Sequence, residues 1–99
     1  MANMRAQLLY RSKSVLSDGA IVEAVIWKVP QPLPGSLHNY KYSLFYGYPG
    51  QRVVGYDNER GKGDHRHVKG REEPYQFSTI EKLIDDFLRD VETRRQRRR

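Results

Sequence analysis

Ala6, Leu8 and Tyr10 alternate with Gln7, Leu9 and Arg11, a period of two that predicts a strand continuing through Val15 and Leu16. Ser17-Asp18-Gly19 then supplies a turn, because Gly accepts positive φ and Asp bonds the backbone beside it. From Ala20 to Val29 the chain is β-branched and apolar on both alternating faces, broken only by Glu23 and Lys28, as in a strand at the middle of a covered sheet. Pro30, Pro32, Pro34 and Gly35 stop regular pairing, since proline has no N–H to give a ladder; residues 30–39 are expected as an exposed polyproline-like connection. Tyr40, Tyr42, Leu44, Tyr46 and Tyr48 next fall on one face of a strand, with Lys41, Ser43, Phe45 and Gly47 on the other. Tyr48-Pro49-Gly50-Gln51 fits a type II turn, and residues 52–57 return as the antiparallel partner. The segment NERGKGDHRHVKGREEPY carries too much Gly and charge for a core element, with room for a short extended piece around Asp64 to Lys69. Ile80, Leu83, Ile84, Phe87, Leu88 and Val91 keep the spacing of one helical face, with Ser78 and Glu81 as a capping box and Asp85, Asp86, Asp90 and Glu92 on the outer side. The expected fold is α+β: an antiparallel meander of four to five strands with one C-terminal helix packed across one face. The tyrosine stripe reads as core beneath Phe87 and Leu88; a base-stacking surface is the other reading of the same rings.

Composition narrows the classes. Ninety-nine residues suit a single domain, taken as residues 1–93, with 94–99 as a disordered basic tail. Cysteine is absent, which excludes disulfides, thiolate zinc sites and cysteine nucleophiles and suits a reducing cytoplasm. No apolar run approaches the roughly 20 residues of a membrane span, and no signal-like stretch follows the first basic residue, so a cytoplasmic location without membrane contact is expected. The net charge of +6 nominates an anionic partner such as nucleic acid. That charge is unevenly spread: five of the eighteen basic residues lie in residues 94–99, and residues 60–71 hold Arg60, Lys62, Arg66, Lys69 and Arg71 against Asp64 alone.

The second of these regions overlaps the densest chemistry, GYDNERGKGDHRH at residues 55–67. On extended backbone His65 and His67 project to one face about 6 to 7 Å apart, a separation that suits opposite sides of one phosphate. RNA is cut without metal when one group deprotonates the ribose 2′-hydroxyl and another protonates the leaving 5′-oxygen, and histidine titrates nearest working pH for both tasks. In this reading His65 and His67 are acid and base, with Glu59 or Asp64 as the orienting carboxylate. Arg60, Lys62 and Arg66 stabilise phosphoryl charge, and Lys69 and Arg71 extend the RNA-binding surface. No cofactor and no metal is expected. Three other readings stay open: solvated loop histidines, an anion-binding surface without catalysis, and a divalent ion held by Asp57, Glu59, Asp64 and the histidines.

VVGYDNERGKGDHRH and the downstream REEPYQF and IEKLIDDFLRDVE, with LSDGAIVEAVIWKVPQP and HNYKYSLFY upstream, resemble the TumE family of small bacterial toxins, from about Ala6 to Thr93. The resemblance implies a component of a type II toxin–antitoxin operon, neutralised by direct contact with a small helix-turn-helix antitoxin. Such toxins are often ribonucleases acting on mRNA, frequently on RelE-like folds; the RelE pattern begins with helices, whereas this chain begins with strands. No catalytic residue is carried over from the family. The expected function is therefore a metal-independent endoribonuclease toxin acting on free or ribosome-bound RNA. The alternatives are a noncatalytic protein that binds nucleic acid or the antitoxin, and a metal-dependent nuclease.

Overall fold

The structure is a computed structural model that describes residues 5–59 and 61–97. Six strands, β1 (Gln7–Val15), β2 (Ile21–Lys28), β3 (Tyr40–Tyr48), β4 (Gln51–Asp57), β5 (His65–Val68) and β6 (Arg71–Pro74), precede one helix, α1 (Ile80–Arg97). They form one antiparallel sheet in which each strand pairs with its neighbours in sequence. The α+β meander with a C-terminal helix is thus as the hydrophobic pattern predicts, with six strands instead of four or five. The additional strand, β6, is Arg-Glu-Glu-Pro and exposed throughout, so no apolar period marks it.

The helix covers one face only. Tyr42, Leu44 and Tyr46 of β3, Ile26 of β2, and Val54 and Tyr56 of β4 meet Leu83, Phe87 and Val91 of α1 in the buried core. The tyrosine stripe is therefore core, whereas Leu88 is half exposed. Among the described residues no helix covers the opposite face, so the odd-numbered residues of β2 are half-buried or exposed, and its doubly apolar pattern does not reflect a doubly covered strand. No helix among the described residues is long and apolar enough to cross a membrane.

Polar contacts hold α1 down. The acids expected on its outer side divide: Asp86 accepts from the Tyr75 hydroxyl at 2.6 Å, and Asp90 accepts from the Tyr56 hydroxyl at 2.5 Å. Arg66 grips Asp90 through Nε at 2.7 Å and Nη2 at 2.8 Å. The cap is Thr79, whose Oγ1 accepts from the Lys82 N–H at 3.1 Å, one residue later than the Ser78 capping box that the sequence predicts. At the other end the helix continues to Arg97, so Arg94 to Arg97 form its last turn where a separate tail is expected from sequence. Arg95 anchors that turn by donating to the Tyr46 hydroxyl at 3.0 Å.

The proline-rich connection between β2 and β3 packs more closely than a polyproline loop. Asn39 Nδ2 donates to the carbonyls of Val29 and Pro30, and Ser36 is buried. Gly35, at φ +86, sits against Gly63, where a Cβ would come within 2.5 Å of the Gly63 nitrogen. This contact brings the loop over the start of β5.

Candidate functional site

β5 is held between β4 and β6. Val68-Lys69-Gly70-Arg71 closes the β5–β6 hairpin with Lys69 at φ 57 and Gly70 at φ 76, the two positive values that a two-residue type I′ turn requires. The turn sets the register: His67 lies opposite Glu72 and Arg66 opposite Glu73, while on the other side His67 lies opposite Gly55 and His65 opposite Asp57. Two-residue periodicity puts His65 and His67 together on the face away from α1.

Their ring nitrogens have distinct partners. His65 Nδ1 donates to the Gly63 carbonyl at 2.8 Å, which leaves Nε2 directed at Glu72 Oε2, 3.5 Å away. His67 Nδ1 accepts from Arg52 Nη2 at 3.0 Å, since a guanidinium only donates; its Nε2 lies 3.9 Å from the same Glu72 oxygen. Gly55 makes this contact possible, because a Cβ there would come within 2.6 Å of Arg52 Cδ. Burial, and then the adjacent Arg52 cation, hold the His67 imidazole below the ordinary histidine value, so its neutral form is favoured. The two imidazole side chains are 14% and 16% exposed, whereas Glu72 is 40% exposed. One carboxylate oxygen thus occupies the point on which both Nε2 atoms converge.

The same periodicity that unites the histidines divides the remaining sequence-predicted residues. Asp64 and Arg66 alternate with them and point to the opposite face. Asp64 accepts from Ser36 Oγ at 2.7 Å, His38 Nε2 at 2.7 Å and the Tyr42 hydroxyl at 2.5 Å. It organises a half-buried network that also engages Asn58, so it does not orient His65 or His67. Burial, followed by the bond to Asp64, pushes the Tyr42 hydroxyl far above its usual range and keeps it a proton donor. Arg66 is consumed by Asp90, Glu73 and Tyr56, and its bonds to Asp90 hold its cation firmly charged.

Glu59 is exposed and lines a separate groove on the open face with Arg11, Lys13 and Phe45. Lys62 is exposed beside the Asp64 network. Lys69 and Arg71 are exposed around the β5–β6 turn, and Arg60 lies outside the described residues. Among the described residues no three His, Asp or Glu side chains gather as a metal-binding group, so Asp57, Glu59, Asp64 and the histidines are not brought together.

Glu72 and Arg52, the two charged groups nearest the histidines, are absent from the sequence-based site. A signal for Glu72 was present: Lys-Gly between Val68 and Arg71 reads as a tight hairpin turn, and pairing outward from it sets Glu72 across from His67. Arg52 gave no such signal, because its place depends on a register shift between Tyr46 and Gly47 in the β3–β4 pairing. His38, stacked on Phe77 with ring centroids 3.8 Å apart, is the third histidine and belongs to the Asp64 network.

A family profile described as Toxin TumE matches residues 5–95, and the chain belongs to that family. Comparison with curated proteins and with solved structures returns no match.

Proposed function

We propose that this protein, by its family the toxin of a toxin–antitoxin system, is a metal-independent endoribonuclease with His67 as general base and His65 as general acid. The observation that carries this reading is the convergence of both Nε2 atoms on one Glu72 oxygen, at 3.5 and 3.9 Å, on the face of the sheet away from α1. An anionic oxygen already occupies that point, and a phosphoryl oxygen is a chemical substitute for it. In the reaction, Arg52 leaves His67 Nδ1 for the phosphate, and Nδ1, the unprotonated nitrogen of the neutral ring, takes the proton of the ribose 2′-hydroxyl while Nε2–H faces the phosphate. The 2′-oxygen bonds to phosphorus as the bond from phosphorus to the 5′-oxygen breaks. Protonated His65, its Nδ1–H held by the Gly63 carbonyl and its Nε2 freed as the phosphate displaces Glu72, gives its Nε2 proton to the departing oxygen. The products are a 2′,3′-cyclic phosphate and a 5′-hydroxyl. Glu72 replaces Glu59 and Asp64 as the carboxylate of this site, and Arg52 replaces Arg66 as its innermost cation.

We further infer that the protein works in the cytoplasm and that a small helix-turn-helix antitoxin neutralises it by covering this face. Purified protein is expected to cleave single-stranded RNA equally in EDTA and in magnesium. His65→Ala and His67→Ala are each expected to abolish cleavage and growth arrest while the circular dichroism spectrum is retained. Persistent toxicity of both variants overturns the mechanism.

A second reading has its own observation. Glu72 occupies the convergence point and must yield before any phosphate enters, as suits a surface that binds without cutting. RNA that stays intact under saturating protein in both buffers selects it.

A further inference from the structure

Beyond the histidine pair, the fold assembles a positive groove from three places that are distant in sequence. Arg52 from the start of β4, Lys69 from the β5–β6 turn, and Arg94 and Arg97 from the last turn of α1 line one depression of about 430 Å³, with Gln51 and Val53. None of the four makes an ion pair among the described residues. Elsewhere the sheet side of α1 neutralises its charges: Asp90 takes Arg66, Asp86 takes Lys82, and Arg95 reaches Asp18. The groove cations are left over from that pairing. They are also positioned, since Arg95 is tied to Tyr46 and fixes the turn carrying Arg94 and Arg97. Arg52 belongs to both regions, because its Nη2 touches His67.

We propose that this groove binds the phosphodiester backbone of single-stranded RNA beside the histidine pair, so that Arg52 marks the join between a holding site and a reacting site. The identity of the polymer rests on the ribonuclease reading above; the groove itself does not. Its lining favours phosphate over an acidic protein segment. Protein interfaces place apolar and aromatic side chains at their centres, whereas Val53 is the sole large apolar residue and no aromatic ring accompanies the four cations here. Successive phosphates need spaced forked donors and little else.

The test uses a fluorescein-labelled single-stranded RNA on the full chain carrying His65→Ala and His67→Ala, so that the probe stays intact. Lys69→Asn, which keeps a residue that tolerates the left-handed turn, is combined with Arg94→Gln and Arg97→Gln. Loss of three phosphate contacts is expected to lower the salt dependence of log K by about 2, and to weaken binding about a hundredfold near 0.1 M salt. Lys69→Asn alone, on the β5–β6 turn and outside the helix, is expected to lower that slope by about 0.7 and guards against a helix-end folding defect. Unchanged affinity and slope overturn the groove, whatever the wild type cleaves. Groove-dependent capture of poly-glutamate without RNA binding also overturns it, in favour of an acidic protein partner. If the groove variants lose binding but the wild-type chain never cuts, the groove stands and the endoribonuclease falls.

Discussion

His67 accepts at one nitrogen from an arginine, an uncommon partner for a side chain that itself carries charge when protonated. Protonating that ring places two cations 3.0 Å apart, so the partial burial of the ring and the Arg52 charge act in the same direction. Arg52→Gln is expected to move the His67 titration upward, though short of the ordinary value of about 6.5 because burial, the larger cause, remains. The His67 ring signals in a proton NMR titration check this, and an unmoved midpoint refutes it. The sign also bears on stability. With the folded value depressed, the unfolded chain takes up the proton first, so stability falls as pH drops through the ordinary histidine range. At this scale the sequence was legible by parity: an HxH run on a strand must share a face. The same rule, carried one residue further, removes Arg66 and Asp64 from that face, because a strand cannot bring adjacent side chains together. What parity cannot supply is the cross-strand neighbour, which needs register, and so Arg52 and Glu72 appear only once the sheet is paired.

Among the elements, α1 depends on polar bolts as much as on its apolar stripe. Arg66 links β5 to the helix through two bonds to Asp90, with Glu73 and Tyr56 completing its shell. Removing one partner of a desolvated pair strands the other, so Arg66→Ala is expected to cost about 2 kcal/mol, with Asp90→Ala adding much less on top than it costs alone. Urea unfolding of the two single variants and the double variant measures that coupling, and simple additivity rejects the bolt. Arg66, alternating with two histidines, therefore secures the element beneath them. The spacing of Ile80 to Val91 revealed the helix, but not that Asp86 and Asp90 turn toward the sheet. Those acids sit at its margins, where tyrosine hydroxyls from Tyr75 and Tyr56 reach out from an otherwise apolar layer. Arg94, Arg95 and Arg97 stay helical because arginine is a good helix former and cations suit the C-terminal end of the dipole.

Across the whole molecule, neighbour-to-neighbour pairing leaves two sheet margins, and they are unequal. β6 is short, polar and ends in Pro74, which gives a poor template for further pairing. β1 is nine residues long, exposed along almost its entire length, and paired on one side only among the described residues. Such a margin invites a second copy to extend the sheet. In an antiparallel pairing centred on Arg11, that arginine would face its own equivalent, with Lys13 close by and no acidic residue on the strand to compensate. The register shift between Leu8 and Tyr10 interrupts the ladder as well. Arg11→Thr with Lys13→Thr is therefore expected to turn a concentration-independent sedimentation coefficient into one that rises with concentration, and a flat profile for the variant defeats the argument. The lysine and arginine that look like part of a general basic surface then have a second consequence: they set like charges against each other wherever a second copy approaches the open sheet margin.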